Sequence, residues 1–152
     1  MLLERIGRLF DYEHQAYGHG VSTTGKMGRG IAVEFKEKFP NMYSEYRELC
    51  SEGKLKPGDA FLYSEKNSPY IFNLLTQDSL EGAQKEYLHK SIRQMHEHAL
   101  VHDITDIAIP EIGCGLGGLL LDDLTEALYP FTMDASHHVT LYSMPPNDRT
   151  SR

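Results

Sequence analysis

Apolar positions along this chain alternate between two spacings: short continuous or alternating runs of strand length, and stripes three and four residues apart. MLLERIGRLF (1–10) and QAYGHGV (15–21) read as strands joined through a turn at Tyr12 to Gln15, and as an early pair they imply a mixed sheet. From Arg29 a helical stripe follows, carried by Ile31, Val33 or Glu34, Phe35 and Phe39, with Pro40 ending it. Asn41 is the expected N-cap of a second helix, with Met42, Tyr46, Leu49 and Cys50 on one side and Gly53 just past its end. PGD (57–59) is turn chemistry, and DAFLYS and SPYIFNLL read as neighbouring strands around the polar loop EKNS. AQKEYLHKSIRQMHEHALVHD (83–103) is the longest helical pattern, facing a sheet through Tyr87 or Leu88, Ile92, Met95 or His96, Ala99 and Leu100. DIAIP (106–110) has the apolar, β-branched character of a buried parallel strand. EIGCGLGGL then reads as a loop, LLDDLTEALYPF as a helix and HHVTLYSM as an alternating final strand. Strands interleaved with helices predict a layered α/β domain over residues 1–144, followed by a polar, proline-led tail at 145–152 expected to be disordered.

Composition narrows the functional classes. The chain has 152 residues, 40% of them hydrophobic, which suits one domain with a substantial core. A net charge of −7 excludes general nucleic-acid binding by charge, which needs many Lys and Arg residues against phosphates. Cys50 and Cys114 are the only cysteines, too few for a disulfide framework and consistent with a reducing, cytoplasmic setting. MLLERIGRLF lacks a signal-like apolar region, and no apolar run approaches the roughly 18 residues of a membrane span.

Two glycine-rich junctions carry the candidate chemistry. GKMGRGIAVEF (25–35) places three glycines and two cations directly before a helix, where unpaired N–H groups and the positive end of the macrodipole favour an anion. EIGCGLGGL (111–119) repeats the design, because a strand ends, glycines bare the backbone and a helix begins. In an α/β sheet such loops lie at the carboxyl ends of strands, so the two can enclose one diphosphate from both sides. Lys26 and Arg29 add local positive charge, and no acidic residue lies between Glu13 and Glu34.

Standard nucleotide motifs do not fit. Gly113, Gly115 and Gly118 satisfy G-x-G-x-x-G, yet only 34 residues remain after Gly118, too few for the second half of a dinucleotide fold. Lys26 follows Gly25 without the Ser or Thr of a phosphate-binding P-loop.

GHGVSTTGKMGRGIAVEFKEKFPNMYSEYRELC, YIFNLLTQ and IAIPEIGCGLGGL, in this order and spacing, resemble the macrodomain family over about residues 6–131. The similarity is to its compact branch, which contains ADP-ribose-1''-phosphate phosphatases and hydrolases that remove ADP-ribose from protein or DNA. The resemblance implies a three-layer α/β/α domain with a mixed sheet and an ADP-ribose cleft that needs no cofactor. It implies that Gly25, Lys26, Met27, Gly28, Arg29, Gly30 and Ile31 line the distal ribose and a phosphate. Gly113, Cys114, Gly115, Leu116, Gly117, Gly118 and Leu119 would wrap the diphosphate, with Ser22, Thr76 and Gln77 beside them. Four positions depart from the family pattern. Arg8 stands where many members place an Asp that accepts from the adenine amine, and Ser22 replaces an Asn at the distal ribose. Gln77 replaces the Lys of lysine-dependent hydrolases, and an amide is no amine nucleophile. Gly117 replaces an Asp found in some hydrolases.

His19 aligns with a family His just before the first glycine loop and is the candidate proton carrier, its alternative role being a strand-end imidazole bonded nearby. Asp78, Glu111, Asp122 and Asp123 are acidic candidates near the loops, the last two in a first helical turn where carboxylates stabilise the dipole. HEHALVH, with His96, His98 and His102, is not H-E-x-x-H, and no metal site is assigned. Cys114 has no base identifiable beside it. Two functions remain: a hydrolase acting on ADP-ribose 1''-phosphate or on an ADP-ribosyl linkage to protein or nucleic acid, and a non-catalytic reader of ADP-ribose. A dinucleotide-dependent oxidoreductase has only its glycine spacing in favour.

Overall fold

The computed structural model describes residues 1–79, 81–114, 117–133 and 137–145. The elements run β1 (Leu2–Ile6), β2 (Ala16–Ser22), α1 (Ile31–Lys38), α2 (Pro40–Ser51), β3 (Ala60–Tyr63), β4 (Tyr70–Gln77), α3 (Lys85–Val101), β5 (Asp106–Pro110), α4 (Leu121–Thr132) and β6 (His138–Ser143), with a 3₁₀ turn at Leu9–Asp11. The six strands form one sheet in the order β1-β6-β5-β2-β4-β3, parallel except for the β3–β4 pair. The expected β1–β2 pairing is therefore corrected. β1 instead pairs with β6 at one edge, and the mixed character comes from β3 at the other.

Helices cover both faces. β4 is buried almost throughout because its alternate residues serve two cores. Phe72 and Leu74 join Ile107 and Ile109 under Leu88, Ile92 and Met95 of α3 and Leu124 and Leu128 of α4. Ile71 and Leu75 join Tyr17, Val21 and Ala108 under Phe35 of α1 and Met42 and Tyr46 of α2. The three-layer α/β/α architecture matches the one expected.

Several local expectations are corrected by packing. Leu9 turns into the core within the 3₁₀ segment, so the first strand ends at Ile6. α2 begins at Pro40, whose missing N–H costs nothing in a first turn, while Asn41 Nδ2 donates to Glu65 Oε1 at 2.8 Å rather than capping the helix. Gly53 closes α2 as expected, with φ of 67° and a paired closure from Gly53 N to Cys50 O at 3.1 Å and Lys54 N to Leu49 O at 3.0 Å. Leu100 points outward at 57% exposure, and β6 is buried on consecutive residues because it lies inside the sheet between β1 and β5. Of the proposed tail, 146–152 lies outside the described residues.

Candidate functional site

The carboxyl ends of the parallel strands open into a cleft of about 740 Å³. Its floor is Gly20 at the end of β2. A Cβ there would stand 2.9 Å from Thr76 Oγ1 and 3.0 Å from Ile112 Cγ2, so three strand ends meet at a position only glycine fills.

One wall is the segment from Thr23 to Gly30. Its start is fixed by Tyr46 of α2, whose hydroxyl donates to the Ser22 carbonyl, and by Gly25, which lies 3.4 Å (as a built Cβ) from Cys50 Cβ. Met27 turns inward to 1% exposure and anchors the middle. Gly30, with φ of 62°, then turns the chain into α1. No side chain caps that helix, and Ile31, Ala32, Val33 and Glu34 of its first turn all line the cleft. The N-terminal amides and the positive dipole end thus face the space where an anion would sit.

The opposite wall follows β5. Gly113 takes φ of 79°, and its carbonyl accepts from Leu119 N at 2.8 Å, which folds the glycine segment back on itself. Ala83 N donates to Gly117 O at 3.0 Å and pins the far side.

A third set of contacts ties the first wall to the end of β4. Thr23 Oγ1 donates to Asp78 Oδ1 at 2.7 Å, Ser79 N donates to the same oxygen at 2.8 Å, and Thr23 N donates to Gln77 O at 3.2 Å. The Thr23 hydroxyl, then the Ser79 amide, holds the Asp78 carboxyl below its usual range. Asp78 is therefore a brace rather than an acid. Asp78→Ala is expected to speed amide hydrogen exchange at Thr23 and Ser79 about tenfold relative to amides of α3; unchanged exchange at both would remove the brace from the account.

Of the expected site residues, Ser22, Lys26, Met27, Gly28, Arg29, Gly30, Ile31, Thr76, Gln77, Gly113, Cys114 and Gly117 line the cleft together. Gly25, Gly118 and Leu119 do not line it; Gly25 packs against α2 and Leu119 against Gly113. Gly115 and Leu116 lie outside the described residues.

His19 sits behind the cleft, in the core. It is 0% exposed, its ring stacks on Phe35 at 3.7 Å and 10°, and its Nε2 donates to Asn73 Oδ1 at 2.7 Å. Burial pushes its pKa down to about 4 against the opposing effect of the Asn73 contact, so it is neutral at pH 7. The expectation of a proton carrier at His19 meets a physical obstacle, because the ring is fully buried and does not line the cleft. Asp123 caps α4, its Oδ2 accepting from Leu120 N at 2.9 Å, whereas Glu111 lines the cleft. His96 packs beside Phe131 with ring centroids 4.4 Å apart.

Sequence reasoning did not place Leu9, Tyr142 and Met144, which with Arg8 form one end of the cleft. They come from the ends of β1 and β6, whose adjacency has no local signal. Among the described lining residues the charged groups are Arg8, Lys26, Arg29, Glu34 and Glu111, a cationic balance inside an acidic chain.

A family model described as Macro domain matches residues 19–128. The chain belongs to the Macro domain family. This macrodomain is 31% identical over 127 residues to the ADP-ribose glycohydrolase OARD1 of Homo sapiens, covering 83% of this chain and 80% of that protein. It is also 31% identical over 117 residues to the DNA ADP-ribosyl glycohydrolase of Thermus aquaticus, covering 74% of this chain and 32% of the relative. The match thus spans about a third of that longer protein. Among solved structures, the macrodomain of Mycobacterium tuberculosis DarG superposes with a TM-score of 0.87 at 26% identity, covering 96% of this chain and 98% of that one.

Proposed function

We propose that this macrodomain binds ADP-ribose in the cleft and hydrolyses an ADP-ribosyl linkage on protein or nucleic acid. The carrying observation is the pair of facing glycine walls. The first turn of α1, with its uncapped amides, and the turn at Gly113 line one space, and the diphosphate is the part of the ligand that two backbone walls suit. Relatives bearing glycohydrolase names support the reaction class.

The residues present constrain the mechanism. Gln77 offers no amine, so the route is direct attack by water on the anomeric carbon rather than a covalent lysine adduct. The bond to the modified group breaks, the leaving oxygen takes a proton, and the water loses one. With His19 buried and off the cleft, the carboxylates among the described lining residues are Glu34 and Glu111. Glu111, at the end of β5 beside the glycine wall, is the acceptor of choice for the water proton. The amide donors hold the diphosphate so that the distal sugar is presented in one pose, which supplies orientation rather than proton transfer.

A reader function is the second reading, favoured by Gln77 and Gly117, which supply neither amine nor carboxylate. Titration calorimetry with ADP-ribose, followed by incubation with ADP-ribosylated DNA, ADP-ribosylated protein and ADP-ribose 1''-phosphate, separates the two. Release of ADP-ribose, lost in Glu111→Gln with binding retained, is the expected result. Binding with no turnover of any substrate selects the reader, and no binding overturns both.

A further inference from the structure

α1 is a short helix with few anchors. Its eight residues carry no side-chain cap, the chain enters it through Gly30 at φ of 62°, and Phe35 is its one fully buried residue. Helical side chains lean back toward the N-terminus, so the Phe35 ring supports the first turn, whose residues Ile31 to Glu34 line the cleft. Fixing that ring fixes the direction in which the turn presents its backbone.

The sheet fixes it. His19 and Asn73 are direct partners in the β2–β4 register, and His19 Nε2 donates to Asn73 Oδ1 at 2.7 Å. Asn73 Nδ2 in turn donates to Phe61 O of β3 at 3.3 Å, which orients the amide and leaves Oδ1 as the acceptor. Held this way, the imidazole lies flat against Phe35, with centroids 3.7 Å apart and planes within 10°. Its other nitrogen, Nδ1, has no hydrogen-bond partner among the described residues. The polar end of His19 therefore serves Asn73 alone, and the rest of the ring is a flat support. An edge contact from Phe10, at 4.8 Å and 66°, steadies the same phenyl ring.

Two parallel rings in contact set both the height and the tilt of the helix above β2. A branched aliphatic side chain at either position fills the space without setting the tilt. We propose that Asn73, His19 and Phe35 are positioning residues: the imidazole, oriented by Asn73, aims the first turn of α1 at the diphosphate through Phe35, and it transfers no proton. This rests on the cleft holding a diphosphate, as proposed above.

Calorimetry with ADP-ribose tests it, at a temperature well below the thermal midpoint of each variant so that only folded protein is titrated. Phe35→Leu and His19→Leu each remove one ring of the stack and are expected to bind about tenfold more weakly, and either decides the matter if the other does not fold. His19→Phe combined with Asn73→Ala restores a ring against Phe35 without an imidazole, the alanine clearing the amide that the larger ring would strike. This double variant is expected to bind within about threefold of the native protein and to keep any turnover the native protein shows. A stack that only stabilises the fold lowers the midpoints of the leucine variants and leaves their affinity within about twofold of native; that result overturns the proposal while the cleft assignment stands. Weak binding by the double variant, or loss of turnover with binding kept, also overturns it, because the imidazole itself would then be required. Failure of the native protein to bind ADP-ribose overturns the cleft assignment and this proposal together.

Discussion

Acidification from pH 7 to pH 4 is expected to destabilise the native domain by about 3 kcal/mol through His19 alone. The folded imidazole has its pKa lowered from 6.5 to about 4 by burial, and a shift of that size corresponds to roughly 3 kcal/mol once the unfolded chain has taken up its proton. The sign follows from which state binds the proton first. Above 6.5 both states are neutral and the stability is complete. As pH falls from 6.5 toward 4 only the unfolded chain is protonated, and the equilibrium moves toward it. Below 4 the folded ring is charged as well, under Phe35 and beside an Asn73 oxygen already engaged.

The measurement is the urea midpoint at intervals from pH 7 to 4 for the native protein and for His19→Gln, whose amide can still donate toward Asn73. The variant loses ring stacking and starts less stable, so the informative quantity is the change with pH, which also contains the other histidines in both proteins. A slope that is the same in the two would place the acid sensitivity elsewhere. Because His19 precedes Gly20 and Ser22 in β2, protonation of the folded ring acts directly beneath the cleft floor, and ligand affinity of the folded protein is expected to fall only as pH approaches 4.

His19 also shows where reading the chain reaches its limit. Its position before a glycine loop was legible, and so was the helical stripe that contains Phe35. That the helix folds back and lays Phe35 on the imidazole depends on a reversal through Gly30, which no periodicity encodes. The same division holds elsewhere. DIAIP became β5 and the stripe Leu88, Ile92, Met95 became the buried face of α3, because each carries its signal within a few residues. β1 found β6 from the other end of the chain, and Leu2 pairs with Val139 across that distance. The cleft end built from those two strands was invisible for the same reason, while the two glycine walls were legible because each is a contiguous strand-to-helix junction.

Gly113→Ala is expected to weaken ADP-ribose binding about hundredfold. At φ of 79° the backbone is in the left-handed region, and a Cβ would stand 2.8 Å from Leu119 Cδ1. Rotation of Leu119 relieves the methyl contact, but nothing relieves the angle, which costs ~1–2 kcal/mol for an alanine. The segment is tied by Leu119 N to Gly113 O and by Ala83 N to Gly117 O, so the turn at Gly113 has little room to relax. Gly113 lines the cleft, and under the proposed reading a charge-assisted bond lost there is worth ~1.5–3 kcal/mol, so one bond and a little strain account for about two powers of ten. Gly53→Ala supplies the contrast. Its φ of 67° imposes a similar strain, but it sits in the C-terminal closure of α2 and does not line the cleft. It is expected to lower stability by about 1 kcal/mol with affinity unchanged. Calorimetry and thermal midpoints on both variants decide between a glycine kept for its turn and one kept for its ligand. If Gly113→Ala binds within about threefold of the native protein while losing as much stability as Gly53→Ala, the wall after β5 is a structural turn, and the diphosphate is held by the α1 amides without it.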